Sequence, residues 1–429
     1  MSEGCLLEYL KNKFRQMSRS KINPYVFLDL DQIDLNQLIL QVCCDNVFYY
    51  KSKNKKFALL SVGKVKSFLT KEEVYNFLEE YPEAFLSCPM SFEEITIETN
   101  TIGNIFLGEW TFISNEKGTK AILFQDPITQ NFSAPEVFFE PISVSNHDLP
   151  MENWQSDEVL PDYTSWCEMM VSAKKLFSSS DLKKIVLSRK RIFEFFNPPQ
   201  PKSLFYHLIN ANPDTGENFL IYFQENLNSA FISLSPETLF SFEGNTVSTI
   251  ALAASAPRAS DFQEDVIEEK SLYTNSKLIN EHQLVVDEIK NSLEKVCQDI
   301  KVSELKIMKL SYIQHRSLDI TATTHKNIHA IDLLKQLHPT AAIGGLPKNL
   351  ALKNIKAIEG SPRNHYSAPF GVINRHFSEF AVGIRSGKIE NNKLTLYAGA
   401  GILPESSPEA EWIETSRKMT PFLRVLNHA

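Results

Sequence analysis

"EFAVGIRSGKIENNKLTLYAGAG", residues 379–401, is the stretch from which the fold can be read. Strand-like runs flank Asn391-Asn392, so it reads as a β-hairpin turning at those two asparagines. Downstream lies "SSPEAEWIETSRKMTPFLRVL", where Ser407-Pro408 supplies an N-cap followed by proline at the first helical position. Upstream, "LFSFEGNTVSTIAL" (239–252) is a second hairpin, turning at Gly244-Asn245, and "KKIVLSRKRIFEF" (183–195) alternates like a strand. Between the hairpins, residues 274–298 space Leu278, Val285, Ile289, Leu293 and Val296 as a helix does. The N-terminal part holds shorter β-like runs, "NVFYY", "KFALLSV" and "NIFLGEWTFI". Hairpins interleaved with long helices predict an α+β fold of antiparallel sheets flanked by helices. The polar, proline-marked stretch "SNHDLPMENWQSDEVLPDY" (145–163) is the best candidate for a boundary or long surface loop.

Composition narrows the function. With 43% hydrophobic and 22% charged residues, the chain can bury a large core. Its net charge of −8 gives no basic surface for nucleic acid. The one basic run (Lys11, Lys13, Arg15, Arg19, Lys21) is broken by apolar residues and reads as a solvated helix face. No apolar run reaches the roughly 18 residues of a transmembrane helix, and "MSEGCLLEYLKNKF" does not read as a signal peptide. The six cysteines show no CxxC spacing, so neither a disulfide framework nor a zinc site is indicated, and reduced thiols in the cytoplasm are expected.

Several residues invite chemistry. Glu411, Glu414 and Lys418 fall on one face of the C-terminal helix. They form either a solvated charged face or a Mg²⁺ site, since that ion takes hard oxygen ligands. Glu281 lies at the edge of an apolar stripe, where a carboxylate is costly unless paired or metal-bound. Lys184 opens a strand, on the face of Val186 and Ser188. It is either a strand-edge lysine in water or a buried base. Glu237, in "SPETL", follows a strand and a Ser-Pro turn. Eight of the fifteen glycines fall between 344 and 401. Those of "AGAG" (398–401) would let backbone N–H groups approach an anion, although turn geometry alone also explains them.

Taken together, these motifs resemble the chorismate-utilising enzymes, and within them the isochorismate synthases of the menaquinone type. "KIVLSR" looks like the family's base-lysine strand, "SPETL" its acid-glutamate turn and "SKLINEHQLVV" its first metal helix. "HPTAAIGGLP" resembles the specificity loop, "RNHYSAPFGVI" the tyrosine segment, "EFAVGIRS" the arginine strand, and "AGAGILPESSPEAEWIETSRK" the closing glycine turn and second metal helix. The resemblance implies a single large chorismate-binding fold, like that of anthranilate synthase component I. Residues 161–429 would form the catalytic region, and the weakly matched residues 1–160 would belong to the same α/β body.

Carried over by residue, the resemblance makes Lys184 the general base that activates water and Glu237 the general acid that protonates the departing C4 hydroxyl. Glu281 and Glu414 become Mg²⁺ ligands, with Glu411 in the adjacent shell. Tyr366 and Arg385 hold the enolpyruvyl carboxylate, and Gly399, Gly401 and Lys418 bind an anion. His315 lines the pocket, and Ser255 keeps a substrate-facing hydroxyl. Ala342 matches a reaction selector, since the related salicylate synthases carry threonine there. Gly344 and Gly345 would let the backbone pass close to the ligand.

The chain also departs from the pattern. "ALAAS" (251–255) stands where the family often has "PLAGT", so Ala254 replaces a glycine, and Ser233 replaces another. Leu278 stands where many relatives have an acid near the metal, which bears on metal affinity. Ala253 occupies the place of the lysine nucleophile of aminodeoxychorismate synthases and argues against amination. The implied activity is Mg²⁺-dependent isochorismate synthesis from chorismate, with no obligate protein partner evident. A salicylate synthase and a non-catalytic chorismate-binding relative are the alternatives.

Overall fold

The computed structural model describes residues 3–16, 25–53, 57–93, 102–125, 131–140, 154–212 and 216–427. Among them, strands assemble into two antiparallel sheets of twelve and ten strands, with helices packed around them. In the larger sheet, strands from the first 125 residues (Tyr25–Leu30, Gly118–Phe124, Trp110–Asn115, Phe57–Val62, Val47–Lys51) lie beside strands Phe219–Asn226, Ser229–Ser235, Ser386–Glu390, Lys393–Ile402 and Lys184–Phe195. The smaller sheet likewise joins strand Leu86–Pro89 to Pro369–Ile373.

The middle of the larger sheet is buried on both faces. In "VFYYK", Val47 and Tyr49 enter one core with Leu60, Leu220 and Tyr222, while Phe48 and Tyr50 enter another with Leu59, Phe219 and Ile221. Such strands read as continuous apolar runs because successive side chains point to opposite, equally dry faces. The second of these cores is shared with the smaller sheet, through Phe240, Phe370 and Phe380. The first is closed by helices Pro201–Ala211 and Pro408–Asn427.

Both hairpins form where the turn signals place them. Strand Ser386–Glu390 pairs with Lys393–Ile402 across Asn391-Asn392, and Thr238–Glu243 with Thr246–Pro257 across Gly244-Asn245. The helical periodicity of 274–298 becomes helix Ser276–Leu293. Its Asn275 cap accepts from the Lys277 and Leu278 amides, and it buries Val285, Ile289 and Leu293. Ser407 Oγ accepts from the Ala410 amide at 3.2 Å and starts the C-terminal helix Pro408–Asn427.

Two expectations need correction. The stretch 145–163 is not a loop throughout. Residues 145–153 lie outside the described set, but Trp154–Leu160 is a strand on the outer half of Lys184–Phe195. Its charged residues suit an exposed edge, and Asp157 pairs with Arg191 at 2.6 Å. "NIFLGEWTFI" is two strands, not one. Ile105–Leu107 lies in the smaller sheet and Trp110–Asn115 in the larger, and the chain crosses between them at Gly108-Glu109. No described helix is long and apolar enough to cross a membrane.

Candidate active site

The two sheets are joined by segments that step from one to the other, and two of these meet in a single cavity. Pro236-Glu237 links strand Ser229–Ser235 of the larger sheet to Thr238–Glu243 of the smaller. Gly383-Ile384-Arg385 makes the reverse crossing, from Phe377–Val382 to Ser386–Glu390. The crossings are tied together: the Val382 amide donates to Glu237 O at 3.1 Å and the Leu234 amide to Arg385 O at 3.1 Å. Strand Lys184–Phe195, helix Ser276–Leu293, the C-terminal helix and the loop around Ala342 complete a cavity of about 680 Å³ including its open mouth. Of the thirteen residues given a catalytic, substrate-binding or metal-binding role from sequence, all but Glu411 line it; the loop glycines Gly344 and Gly345 do not.

Lys184 is not a lysine in water. It is 1% exposed, with Nζ 3.1 Å from Glu281 Oε1. Glu237 is buried at the crossing, and burial raises its pKa to about 7 against the pull of Lys184, Lys418, Lys53 and Arg385. Glu414 is held the other way. Lys418 Nζ lies 2.7 Å from Glu414 Oε1, and that cation keeps its carboxyl below the usual range despite burial. Glu411, behind it, pairs with Lys277 at 2.7 Å. Burial, with Glu414 nearby, pushes the Glu411 carboxyl up.

A hydrogen-bonded relay also lines the cavity. Arg385 Nη2 donates to His315 Nε2 at 3.1 Å, so the His315 proton sits on Nδ1, which donates to Ser255 Oγ at 3.0 Å. Burial, with Arg385 close by, drives the His315 pKa well below its ordinary value, so the ring is neutral. Burial also lowers Arg385 to about 10. Ser255 is left with its hydroxyl proton free to point into the cavity. Tyr366 stacks on Tyr397, with centroids 5.3 Å apart, and burial raises its pKa to about 12.

The glycines work differently from expectation. Gly399 and Gly401 lie inside strand Lys393–Ile402, opposite Ser188 and Val186, and not in a turn. A Cβ on Gly399 would meet Tyr366 Oη at 2.8 Å, and one on Gly401 would meet Glu281 Oε1 at 2.6 Å and Lys184 Cε at 2.7 Å. Their missing side chains make room for functional ones. Lys418 Nζ donates to Gly399 O at 2.8 Å. Likewise Gly345 does not face the cavity: its Cβ would strike Lys184 O at 2.3 Å. Gly344 packs on Pro339.

Ala254, Ser367 and Arg385, all lining the cavity, have φ of +61°, +64° and +51°. Left-handed backbone at residues other than glycine clusters at functional sites, where surrounding structure holds it. Leu278 is half-buried on the turn before Glu281. Sequence reasoning missed Lys277, whose position four residues before Glu281 puts it on the same helix face. It also missed Arg363, Glu359 and Glu288, which stand outside the cavity.

The residues present suit a hard cation such as Mg²⁺. Glu281 and Glu414 bring carboxylates from two helices to one cavity. Among the described residues no group of three or more His, Cys, Asp or Glu could hold a metal ion alone. An ion that keeps waters and takes substrate oxygens needs no more than two carboxylates, and magnesium is such an ion.

A cavity in which an amine, a protonatable carboxyl and several cations converge belongs to an enzyme acting on a small anionic substrate. The family model described as chorismate binding enzyme matches residues 126–427. This chain belongs to that family. Isochorismate synthase MenF of Haemophilus influenzae is 27% identical over 417 residues, 96% of this chain and 92% of that protein. Isochorismate synthase MenF of Escherichia coli is 28% identical over 375 residues, 86% and 85% of the two chains. The solved structure of the menaquinone-specific isochorismate synthase MenF from Escherichia coli superposes with a TM-score of 0.86 at 24% identity, covering 98% of this chain and 99% of that one. Anthranilate synthase component I from Streptococcus pneumoniae superposes at 0.66 and 19% identity, covering 95% and 93%. The fold is the one these proteins share.

Proposed function

We propose that this chain is an isochorismate synthase that converts chorismate to isochorismate for menaquinone biosynthesis, with Mg²⁺, in the cytoplasm. The observation that carries the reading is the burial of Lys184 and Glu237 in one cavity beside the methyl group of Ala342. Likeness to MenF over nearly the full length of both chains supports it. Cys43, Cys44, Cys88, Cys167 and Cys297 are free, in keeping with a reducing compartment.

Chorismate carries two carboxylates, and Arg385 and Lys418 line the cavity with donors for them. Arg385 and Tyr366 take the enolpyruvyl carboxylate, and Ser255, oriented by neutral His315, donates a hydrogen bond without adding charge. Lys184 accepts a proton from water as its oxygen bonds to C2. Both ring double bonds shift, C1=C2 to C6=C1 and C5=C6 to C4=C5, and the C4–O bond breaks. Glu237, protonated because it is buried, gives its proton to the departing hydroxyl. One water enters and one leaves, so product and substrate are isomers. Mg²⁺ held by Glu281 and Glu414, with Glu411 behind them, would supply positive charge to a substrate carboxylate.

The test is to incubate the purified protein with chorismate, with Mg²⁺ or with EDTA, and to separate the products by chromatography. Isochorismate with Mg²⁺ and none with EDTA is expected. Unchanged chorismate, or salicylate and pyruvate as the main products, would overturn the reading.

A further inference from the structure

Ala342 offers the cavity only a methyl group, yet the loop around it is gripped by charged side chains that do not line the cavity. On one side is Glu288, 7% exposed, on the same helix as Glu281 and two turns further along. Its Oε2 accepts from the Ala341 amide at 3.1 Å, and its Oε1 accepts from Ser292 Oγ at 2.9 Å. On the other side is Arg363, 3% exposed. Its Nη1 donates to Ile343 O at 3.0 Å and its Nη2 to Val186 O at 2.7 Å. So the residues on either side of Ala342 are both held from outside the cavity.

The grip extends to the base. Glu359 takes Arg363 Nε at 3.0 Å and Nη2 at 2.6 Å, and its Oε1 also accepts from the Ser188 amide at 2.8 Å. The loop pairs directly with the strand that carries Lys184: the Val186 amide donates to Gly344 O at 3.0 Å and the Lys183 amide to Leu346 O at 2.8 Å. Glu288 thus references the loop to the helix of Glu281, and Arg363 references it to the strand of Lys184. Burying two charged groups this deeply costs stability unless every polar atom is satisfied. Here the satisfaction is spent on backbone atoms at residues 341 and 343, not on the substrate.

We propose that Glu288 and Arg363 are positioning residues that fix the clearance between the Ala342 methyl and the water taken up by Lys184, and so hold the reaction at isochorismate. This rests on the isochorismate reading above. The competing outcome needs no further reactant. In isochorismate, the bond from C3 to the enolpyruvyl oxygen breaks while the C2 hydrogen moves to the enolpyruvyl methylene carbon, giving salicylate and pyruvate. Which outcome prevails depends on how the ring and its side chain sit beside residue 342. A loop free to shift relaxes that constraint without removing any group that touches substrate.

The experiment compares Glu288→Met, Glu288→Gln and Arg363→Lys with the wild type by product ratio at matched turnover, alongside thermal melts and separate kcat and KM. Glu288→Gln keeps an oxygen that can accept from the Ala341 amide, and should match the wild type. Glu288→Met loses it. The salicylate fraction should rise about tenfold, with KM for chorismate moving less than about threefold. Arg363→Lys keeps the cation but cannot span Ile343 O and Val186 O together. It should shift the ratio the same way by less, and keeps the test open should the methionine variant fail to fold. An unchanged ratio in folded Glu288→Met or folded Arg363→Lys, while the wild type makes isochorismate, overturns this inference and leaves the proposed function standing. A wild type that makes no isochorismate overturns both.

Discussion

Glu237 and Glu414 line the same cavity and are both buried, yet their surroundings shift the two carboxyls in opposite directions. Glu237 stands at a crossing between sheets, in no ion pair among the described residues, and burial lifts it to about 7. Glu414 stands on a helix one turn from Lys418, which binds it at 2.7 Å and holds it anionic. The strand side of the cavity therefore keeps a proton to give, and the helix side keeps negative charge for a cation. Identical side chains take different roles because desolvation wins at one position and a close opposite charge wins at the other.

The comparison breaks most severely if the strand side is damaged. Glu237→Gln, or Lys184→Ala, should lower kcat by ~10² to 10⁴ with the melting temperature little changed, because a positioned acid or base contributes about that much. Steady-state kinetics and a thermal melt check it, and near wild-type turnover would remove the residue from its role.

Next in size is the selector. Ala342→Thr adds a hydroxyl and a methyl where the water must pass, and should move the product mixture toward salicylate and pyruvate by roughly ten- to a hundredfold, worth about 1 to 3 kcal/mol. Chromatography at matched turnover reads the ratio.

On the helix side the effect is on metal rather than chemistry. Glu414→Gln should weaken Mg²⁺ binding by about tenfold or more, as disturbance of a metal's surroundings commonly does. Titration calorimetry with Mg²⁺ alone reads this without turnover. Unaltered affinity in both Glu414→Gln and Glu281→Gln would move the ion elsewhere.

The smallest effect sharpens the strand side. Ala254 holds φ +61° at an irregularity between Ala253 and Ser255. Glycine there relieves a left-handed strain of about 1 to 2 kcal/mol but adds unfolded-state freedom of about 0.4 to 1 kcal/mol. Ala254→Gly should therefore raise stability by roughly 0 to 1.6 kcal/mol in a denaturant melt, with activity retained.

Much of this was legible in the sequence. The hairpins announced themselves through Gly244-Asn245 and Asn391-Asn392, and the helix of Glu281 through apolar spacing, because those signals are local. The cavity residues were recognisable as motifs in order along the chain. What stayed hidden was long-range. Nothing local says that Gly399 is kept bare by Tyr366, or Gly401 by Lys184 and Glu281, since those contacts come from distant segments. Nor does "NIFLGEWTFI" show that its halves join different sheets. Nothing near Glu288 in the sequence singles it out, because the Ala341 amide that it accepts from lies on a distant segment.

The most direct test of these opposite shifts is a titration of the Glu237 carboxyl by carbon-detected NMR on glutamate-labelled protein, assigned by subtracting the Glu237→Gln spectrum. Its folded-state value lies above the ordinary 4.5, so the proton should be retained through mildly acidic pH and lost near 7. The Glu414 signal, assigned in the same way, should titrate below the ordinary range. In parallel, kcat/KM should fall as pH rises past about 7, because only protonated Glu237 can serve as the acid. Substrate carboxylates disfavour the ionised form further, so the alkaline limb of kcat should lie at higher pH than that of kcat/KM. A Glu237 carboxyl that titrates in the ordinary carboxylate range, with no alkaline limb near neutrality, would contradict the account.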